Sequence, residues 1–229
     1  MKNSITVLFL ISVMLTAGCT DSPTGPVETE YRYFPLETGR FVEYAVQEAS
    51  YAVGKTPVLS SYFLKEVCGS ETVGAGGQLQ YQIQRYRRTT AQQNWTADSA
   101  GFAYLLPDRA VKVENNLPLV KMVFPLYEGL NWNGNHYNTL PPQTYEARFI
   151  KTPFTINALS FPESLHIIQQ NDSSLVTLVR FTERYAPAVG LIYKENTALN
   201  YCQTPNCLGK GIIESGTQKV LRIVAYGKE

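Results

Sequence analysis

Histidine and tryptophan are scarce in this chain, with two residues of each among 229. A centre built on several imidazoles, catalytic or metal-binding, has no residues to be made from. Charge of a single sign is also missing. Lysine and arginine number 20 against 19 acids, and removing Lys2 with a leader would leave the two signs balanced. Such a chain carries no field for a polyanion, so nucleic acid is not an expected partner. No apolar run approaches the ~20 residues that a membrane-crossing helix requires. A clean helical period is likewise absent, which argues against a helical fold. What is abundant is tyrosine, 15 residues, with 10 phenylalanines. That composition suits strands with aromatic faces.

The N-terminus reads as an export address. Lys2 gives a positive start, Ile5 to Leu15 an apolar stretch of signal length, and Leu15-Thr16-Ala17-Gly18 ends it with small residues before Cys19. This resembles a bacterial lipoprotein signal, in which cleavage precedes the cysteine and the cysteine carries the acyl chains (palmitate or a relative). The resemblance implies a signal peptide at 1–18 and lipidation of Cys19. Thr20 follows it where an inner-membrane retention signal has Asp, so the outer membrane is the implied location and the membrane a partner through the lipid. Asp21 to Glu30 holds two prolines, a glycine and three acids without a large apolar side chain, so 19–30 is expected to be a flexible tether. The domain then covers 31–229, enough chain for one sizeable core.

Within it, Gln78 to Gln84 alternates without error, Leu79, Tyr81 and Ile83 on one face and glutamines on the other. Period two means a half-buried strand. Further strands are expected over 40–48, 58–67, 102–106, 110–114, 119–124, 144–150, 164–170, 174–185, 189–195 and 218–226, separated by Gly, Pro or Asn clusters. Strands at such spacing define an all-β, single-domain fold: an antiparallel sandwich, a barrel or a strongly curved sheet. Leu79, Tyr81, Ile83, Val176, Leu178 and Ile192 are the expected core.

Tyr33-Phe34-Pro35-Leu36 with Gly39, Phe41 and Tyr44, the central Phe124-Pro125-Leu126-Tyr127-Glu128-Gly129, and Tyr185-Ala186-Pro187-Ala188-Val189-Gly190-Leu191-Ile192-Tyr193-Lys194-Glu195 together resemble a group of β-rich outer-membrane lipoproteins of the Bacteroidota. The group has no activity to transfer. This chain has Val42 where the group usually has Trp, and Ala188 where it usually has Gly. If that glycine serves a positive φ, Ala188 must adopt it at a cost or alter the turn.

The remaining chemistry is thin. With Cys19 acylated, Cys68, Cys202 and Cys207 are left, and the four-residue gap between the last two suits a disulfide at a loop tip, with Cys68 as buried filler. Asn131 to Asn138 is the densest polar and aromatic stretch. Trp132, Asn133, Asn135, His136 and Tyr137 could stack on and bind a sugar, while the competing reading makes Asn133-Gly134 a two-residue hairpin turn flanked by aromatics. No carboxylate lies among these asparagines, so a calcium loop is not expected, and neither a metal nor a cofactor is called for. Glu43, Glu66, Glu146 and Glu183 fall in strands and are expected to face solvent, as are Arg85, Arg87 and Arg88. A structural His166 is favoured, since no Gly-x-Ser-x-Gly elbow accompanies it.

Two functional classes follow. The first is a membrane-anchored envelope lipoprotein with a non-catalytic β-domain that binds a glycan, an apolar ligand or an envelope protein, or serves structurally. The rival is a glycan- or ester-active hydrolase using a carboxylate pair or a single histidine.

Overall fold

The computed structural model describes residues 30–74 and 76–229. The leader, Cys19 and the tether through residue 29 lie outside them. Twelve strands follow one another: β1 (Arg40–Tyr51), β2 (Val58–Val73), β3 (Leu79–Arg88), β4 (Thr96–Leu106), β5 (Arg109–Glu114), β6 (Leu117–Val123), β7 (Asn131–Asn133), β8 (Thr144–Ile156), β9 (Leu159–Ser173), β10 (Thr177–Ala186), β11 (Gly190–Tyr201) and β12 (Ile213–Lys228). They form one sheet in the order β6-β5-β4-β3-β2-β1-β12-β11-β10-β9-β8-β7. Each strand therefore pairs with its chain neighbour, except that β1 also pairs with β12 and β6 is separated from β7.

That separation is bridged. The Val120 amide donates to the Gly134 carbonyl at 2.9 Å, Trp132 Nε1 to the Val120 carbonyl at 2.8 Å, and Asn138 Nδ2 to the Pro118 carbonyl at 3.0 Å. Of the three all-β forms the sequence allows, the molecule takes the nearly closed antiparallel barrel, which leaves little free strand edge. β7 went unrecognised in the sequence because three residues show no alternation. Asn133-Gly134 is also not a two-residue hairpin turn: Asn133 pairs with Thr144, so residues 134–143 form a long loop. A tight turn here would leave Val120 and Pro118 without the seam partners that this loop supplies.

One end of the barrel is corked by the segment before β1. A single 3-10 turn at Tyr31–Tyr33 precedes Phe34, and Tyr33 and Phe34 are both buried in the main aromatic core. The cork is pinned around the rim. Tyr31 Oη donates to the Pro107 carbonyl at 2.9 Å, Thr38 Oγ1 to the Gly69 carbonyl at 3.0 Å, and the Leu126 amide to Glu30 at 2.7 Å. The fourth pin is Ala188, whose amide donates to the Arg32 carbonyl at 2.7 Å and whose carbonyl accepts from Arg40, also at 2.7 Å. Ala188 has φ of 62°, so it adopts the left-handed conformation despite its Cβ.

Ile83 and Ile192 are buried as alternation implies, and Tyr81, Val176 and Leu178 are half-buried. Leu79 is 48% exposed. It sits where the β2–β3 hairpin runs on past the rim, so its in-phase face meets solvent instead of the core. Cys202 and Cys207 form the expected disulfide, their Cα atoms 5.7 Å apart, in the β11–β12 loop at the end opposite the cork. Cys68 is free and buried.

Candidate functional site

The lumen holds charge. Glu66 of β2 lies opposite Arg85 of β3, and Glu183 of β10 opposite Lys194 of β11. Lys112 and Glu114 come from β5 and Lys121 from β6. All seven side chains converge. Glu66 takes Arg85 at 2.7 Å and Lys112 at 2.8 Å; Glu183 takes Lys121 at 2.6 Å and Lys194 at 2.9 Å; Lys194 reaches across to Glu114 at 3.2 Å. Tyr185 Oη adds a 2.6 Å donation to Glu183. Contacts between β5 and β11, on opposite walls, show that these residues face inward. Glu66, Glu183 and Arg85 were expected in solvent, and the structure corrects this.

Burial alone would raise each carboxyl. For Glu66 the neighbouring Lys112 and Arg85 outweigh it and hold the group at about 2, and for Glu183 Lys121 and Lys194 do the same, also to about 2. Glu114 is held well below the usual range against the same burial penalty by Lys121, Lys194 and Lys112. Burial lowers Lys121, while for Lys194 the carboxylates of Glu114 and Glu183 overcome burial and raise it. Carboxylates pinned in the ionised form cannot deliver a proton near neutral pH, so neither Glu66 nor Glu183 serves as a general acid. Between this network and the cork lies a cavity of about 80 Å³ bordered by Phe34, Tyr44, Glu66, Lys112, Glu114 and Tyr185. Its lining is mixed, with aromatic and aliphatic side chains from the cork and β1 facing the charged groups of β2 and β5.

The Trp132 stretch is largely absorbed by the seam. Trp132 is 9% exposed and stands edge-on to Tyr145 at 6.1 Å. Asn133 Oδ1 accepts from the Asn135 and Gln143 amides, and Asn135 Nδ2 donates to the Pro141 carbonyl at 2.7 Å. His136 and Tyr137, edge-on to each other at 4.8 Å, are exposed. Arg87 and Arg88 lie over the rings of Tyr62 and Trp95, at 3.7 and 4.1 Å, so with Arg85 inside the barrel the three arginines do not form one basic patch.

The outer wall offers the larger opening. Register places Arg148 (β8), His166 (β9), Arg184 (β10), Tyr193 (β11) and Arg222 (β12) in one row. Ile168, Thr182 and Glu195 form the next row. Being one residue out of phase with Glu183 and Lys194, these side chains point away from the lumen. Of these, His166, Ile168, Thr182, Arg184, Tyr193 and Glu195 line a cleft of about 390 Å³, together with Phe154, Asn171 and Arg180. A second depression of about 410 Å³, bordered by Asn131, Thr144, Glu146, Gln170 and Asp172, shares Ile168 and Asn171 with it. Bulges in β8 between Arg148 and Phe154 bend the β8–β9 hairpin so that Phe154 meets this wall, 6.4 Å from the Tyr193 ring.

Within the cleft Glu195 is satisfied by Tyr193 Oη at 2.8 Å and Thr197 Oγ1 at 2.9 Å, with Arg180 at 3.7 Å. Arg184 lies over Phe154 at 4.6 Å, and 3.4 Å from His166 Nδ1. Burial and then Arg184 bring the His166 imidazole down to about 4, so it is neutral at physiological pH. His166 is thus in its expected strand, but as a wall of a cleft. Phe149, 53% exposed, stacks on it at 5.9 Å.

No family model matches the chain, and no curated protein does. Among solved structures it is similar to a protein of Parabacteroides distasonis described as a "putative lipoprotein", with 11% identity over 84% of this chain and 98% of that one, at a TM-score of 0.39. That organism belongs to the Bacteroidota. A likeness at this TM-score carries no argument about function.

Proposed function

We propose that the chain is an envelope lipoprotein, held at the outer membrane by lipid on Cys19, whose barrel is a rigid non-catalytic scaffold and whose binding surface is the outer cleft of β8–β11. The observation that carries this reading is the contrast in space: the lumen is filled by mutually neutralised charges and corked, while the outer wall keeps an open concavity with convergent polar groups. The tether would leave from the corked end, because Glu30 sits on that rim. The hydrolase reading loses two of its carboxylates, Glu66 and Glu183, to ion pairs inside the lumen.

Intact-mass analysis of the membrane-purified protein tests the anchor: a chain beginning at Cys19 plus acyl mass supports it, and an unlipidated N-terminus elsewhere overturns it. Cys19→Ser should release a soluble barrel with an unchanged melting profile, since the tether adds nothing to the core. Capture of envelope extracts on that soluble barrel tests the binding surface. Extracts that leave nothing bound would overturn the cleft as a ligand site.

A further inference from the structure

We propose that the outer cleft binds a neutral saccharide, whose hydroxyls bond to Thr182, Asn171 and the Arg180–Glu195 pair. This deepens the reading just given and rests on it.

Thr182 carries the argument. It is 5% exposed on the wall of the cleft, opposite Glu195 in the β10–β11 register, and its hydroxyl is neither bonded among the described residues nor sealed from solvent. A largely buried hydroxyl in that state leaves a hydrogen bond for something in the cleft to complete. Asn171, which lines the cleft and the adjoining depression alike, keeps its side-chain amide unspent, as Thr144 does its hydroxyl. Arg180 Nη1 and Glu195 Oε1 lie 3.7 Å apart. That exceeds a hydrogen bond, and one ligand hydroxyl can bridge the two by accepting from the arginine and donating to the carboxylate.

Charge and lining narrow the class. The cleft holds Arg180, Arg184 and Glu195, the adjoining depression holds Glu146 and Asp172, and Arg148 answers Glu146 at 2.7 Å. With Arg148 counted, three cations stand against three carboxylates, and His166 is neutral at physiological pH, so a ligand charge of either sign meets no net field. Among the described residues lining the two concavities Ile168 is the one aliphatic side chain, which leaves an apolar ligand little to bury against. An extended peptide would need a free strand edge, and β9, β10 and β11 are paired on both sides where they form the cleft. A neutral sugar fits what remains. Its hydroxyls both donate and accept, and its C–H faces can lie against the rings of Phe154 and Tyr193, or of exposed Phe149 beside His166.

Amide chemical-shift titration of the soluble Cys19→Ser barrel would use maltotriose, cellotriose and triacetylchitotriose as neutral probes, with trigalacturonate as the charged control. The expected result is a saturable shift at Thr182, Asn171 and Glu195 with at least one neutral sugar, nearly indifferent to salt, and no tighter binding of trigalacturonate. Thr182→Val keeps the shape and removes the hydroxyl, so it should weaken that binding roughly tenfold while the melting temperature stays level or rises. A merely structural threonine would give the reverse. Should Thr182→Val fold poorly, Asn171→Ala at an exposed position carries the same test. Affinity unchanged in both variants, shifts confined to residues outside the cleft, or salt-sensitive trigalacturonate binding tighter than all three neutral sugars would overturn the proposal. No response to any neutral sugar would also overturn it: the saccharide assignment alone falls if an envelope component is still captured by the parent barrel and lost on Thr182→Val, and the cleft falls with it if nothing is captured.

Discussion

The two faces of β10 carry the same kinds of residue to opposite ends. Glu183, facing in, is matched at 2.6 and 2.9 Å by two lysines and a tyrosine stands behind it; Arg184, facing out on the next residue, has no carboxylate within 4 Å among the described residues. Inside, an unmatched charge would face the full desolvation penalty, so the network had to close on itself. Outside, water can solvate a guanidinium, and one left unmatched remains available to a ligand. Charge that is fully answered within the fold reports on structure, and charge that is not reports on what the fold meets.

The sharpest break of this comparison is to remove one charge from each face. Glu183→Gln strands Lys121 and Lys194 in the lumen, and urea unfolding should show a loss of about 3–5 kcal/mol. Arg184→Gln should stay within about 0.5 kcal/mol of the parent, as for a surface position. Equal losses would mean that the cleft arginine is structural.

Acid titration separates the faces by pH. His166 has its folded pKa depressed to about 4 from an unfolded value near 6.5, so the unfolded chain takes up a proton that the fold refuses, and stability falls as pH drops from about 6.5 to 4. Glu66 and Glu183 are depressed to about 2, so their contribution is complete above an unfolded value near 4.3 and is lost as pH falls from there toward 2. Thermal melts of His166→Gln should lack the upper window and keep the lower one. Loss of both together would break the assignment of one window to each face.

A smaller effect is expected at the seam. A Cβ on Gly134 would come within 2.3 Å of the Tyr145 ring, so Gly134→Ala should cost about 1–3 kcal/mol by overpacking, read from the denaturant midpoint. Its φ is not among the positive ones, so the cost is crowding, not a turn preference. The smallest effect carries the opposite sign. Ala188→Gly relieves a left-handed alanine and should stabilise the barrel by about 0.5–1 kcal/mol net of glycine's greater unfolded freedom, seen as a modest rise in melting temperature.

The strands of the fold were legible because alternation is local: the Leu79–Ile83 phase and the β-branched run to Tyr185 read directly as strands. Lumen charges were misread for want of one comparison. Glu66 is in phase with Leu64 and Cys68, and Glu183 with Phe181 and Tyr185, so each sits on an apolar face, which is the signal of an inward charge that composition habits override. The cleft could not be read in this way. His166, Arg184, Tyr193 and Glu195 meet through register across three strands, and register depends on bulges that leave no clear mark in the sequence.

The cork has a mechanical side. The chain enters at Glu30, crosses the rim and runs into β1, which is held along its length by β2 on one side and β12 on the other. A pull on the N-terminus against something gripped at the outer cleft acts nearly along β1, so both ladders are loaded in shear and their hydrogen bonds resist together. A pull between the N- and C-termini, which leave from the same rim, would instead peel β1 from β12 one bond at a time. Optical-trap extension in the two geometries should give a high rupture force for the first and a low one for the second. The fold is therefore strong against a load applied between the N-terminus and the cleft, and weak against one applied between the two ends of the described chain.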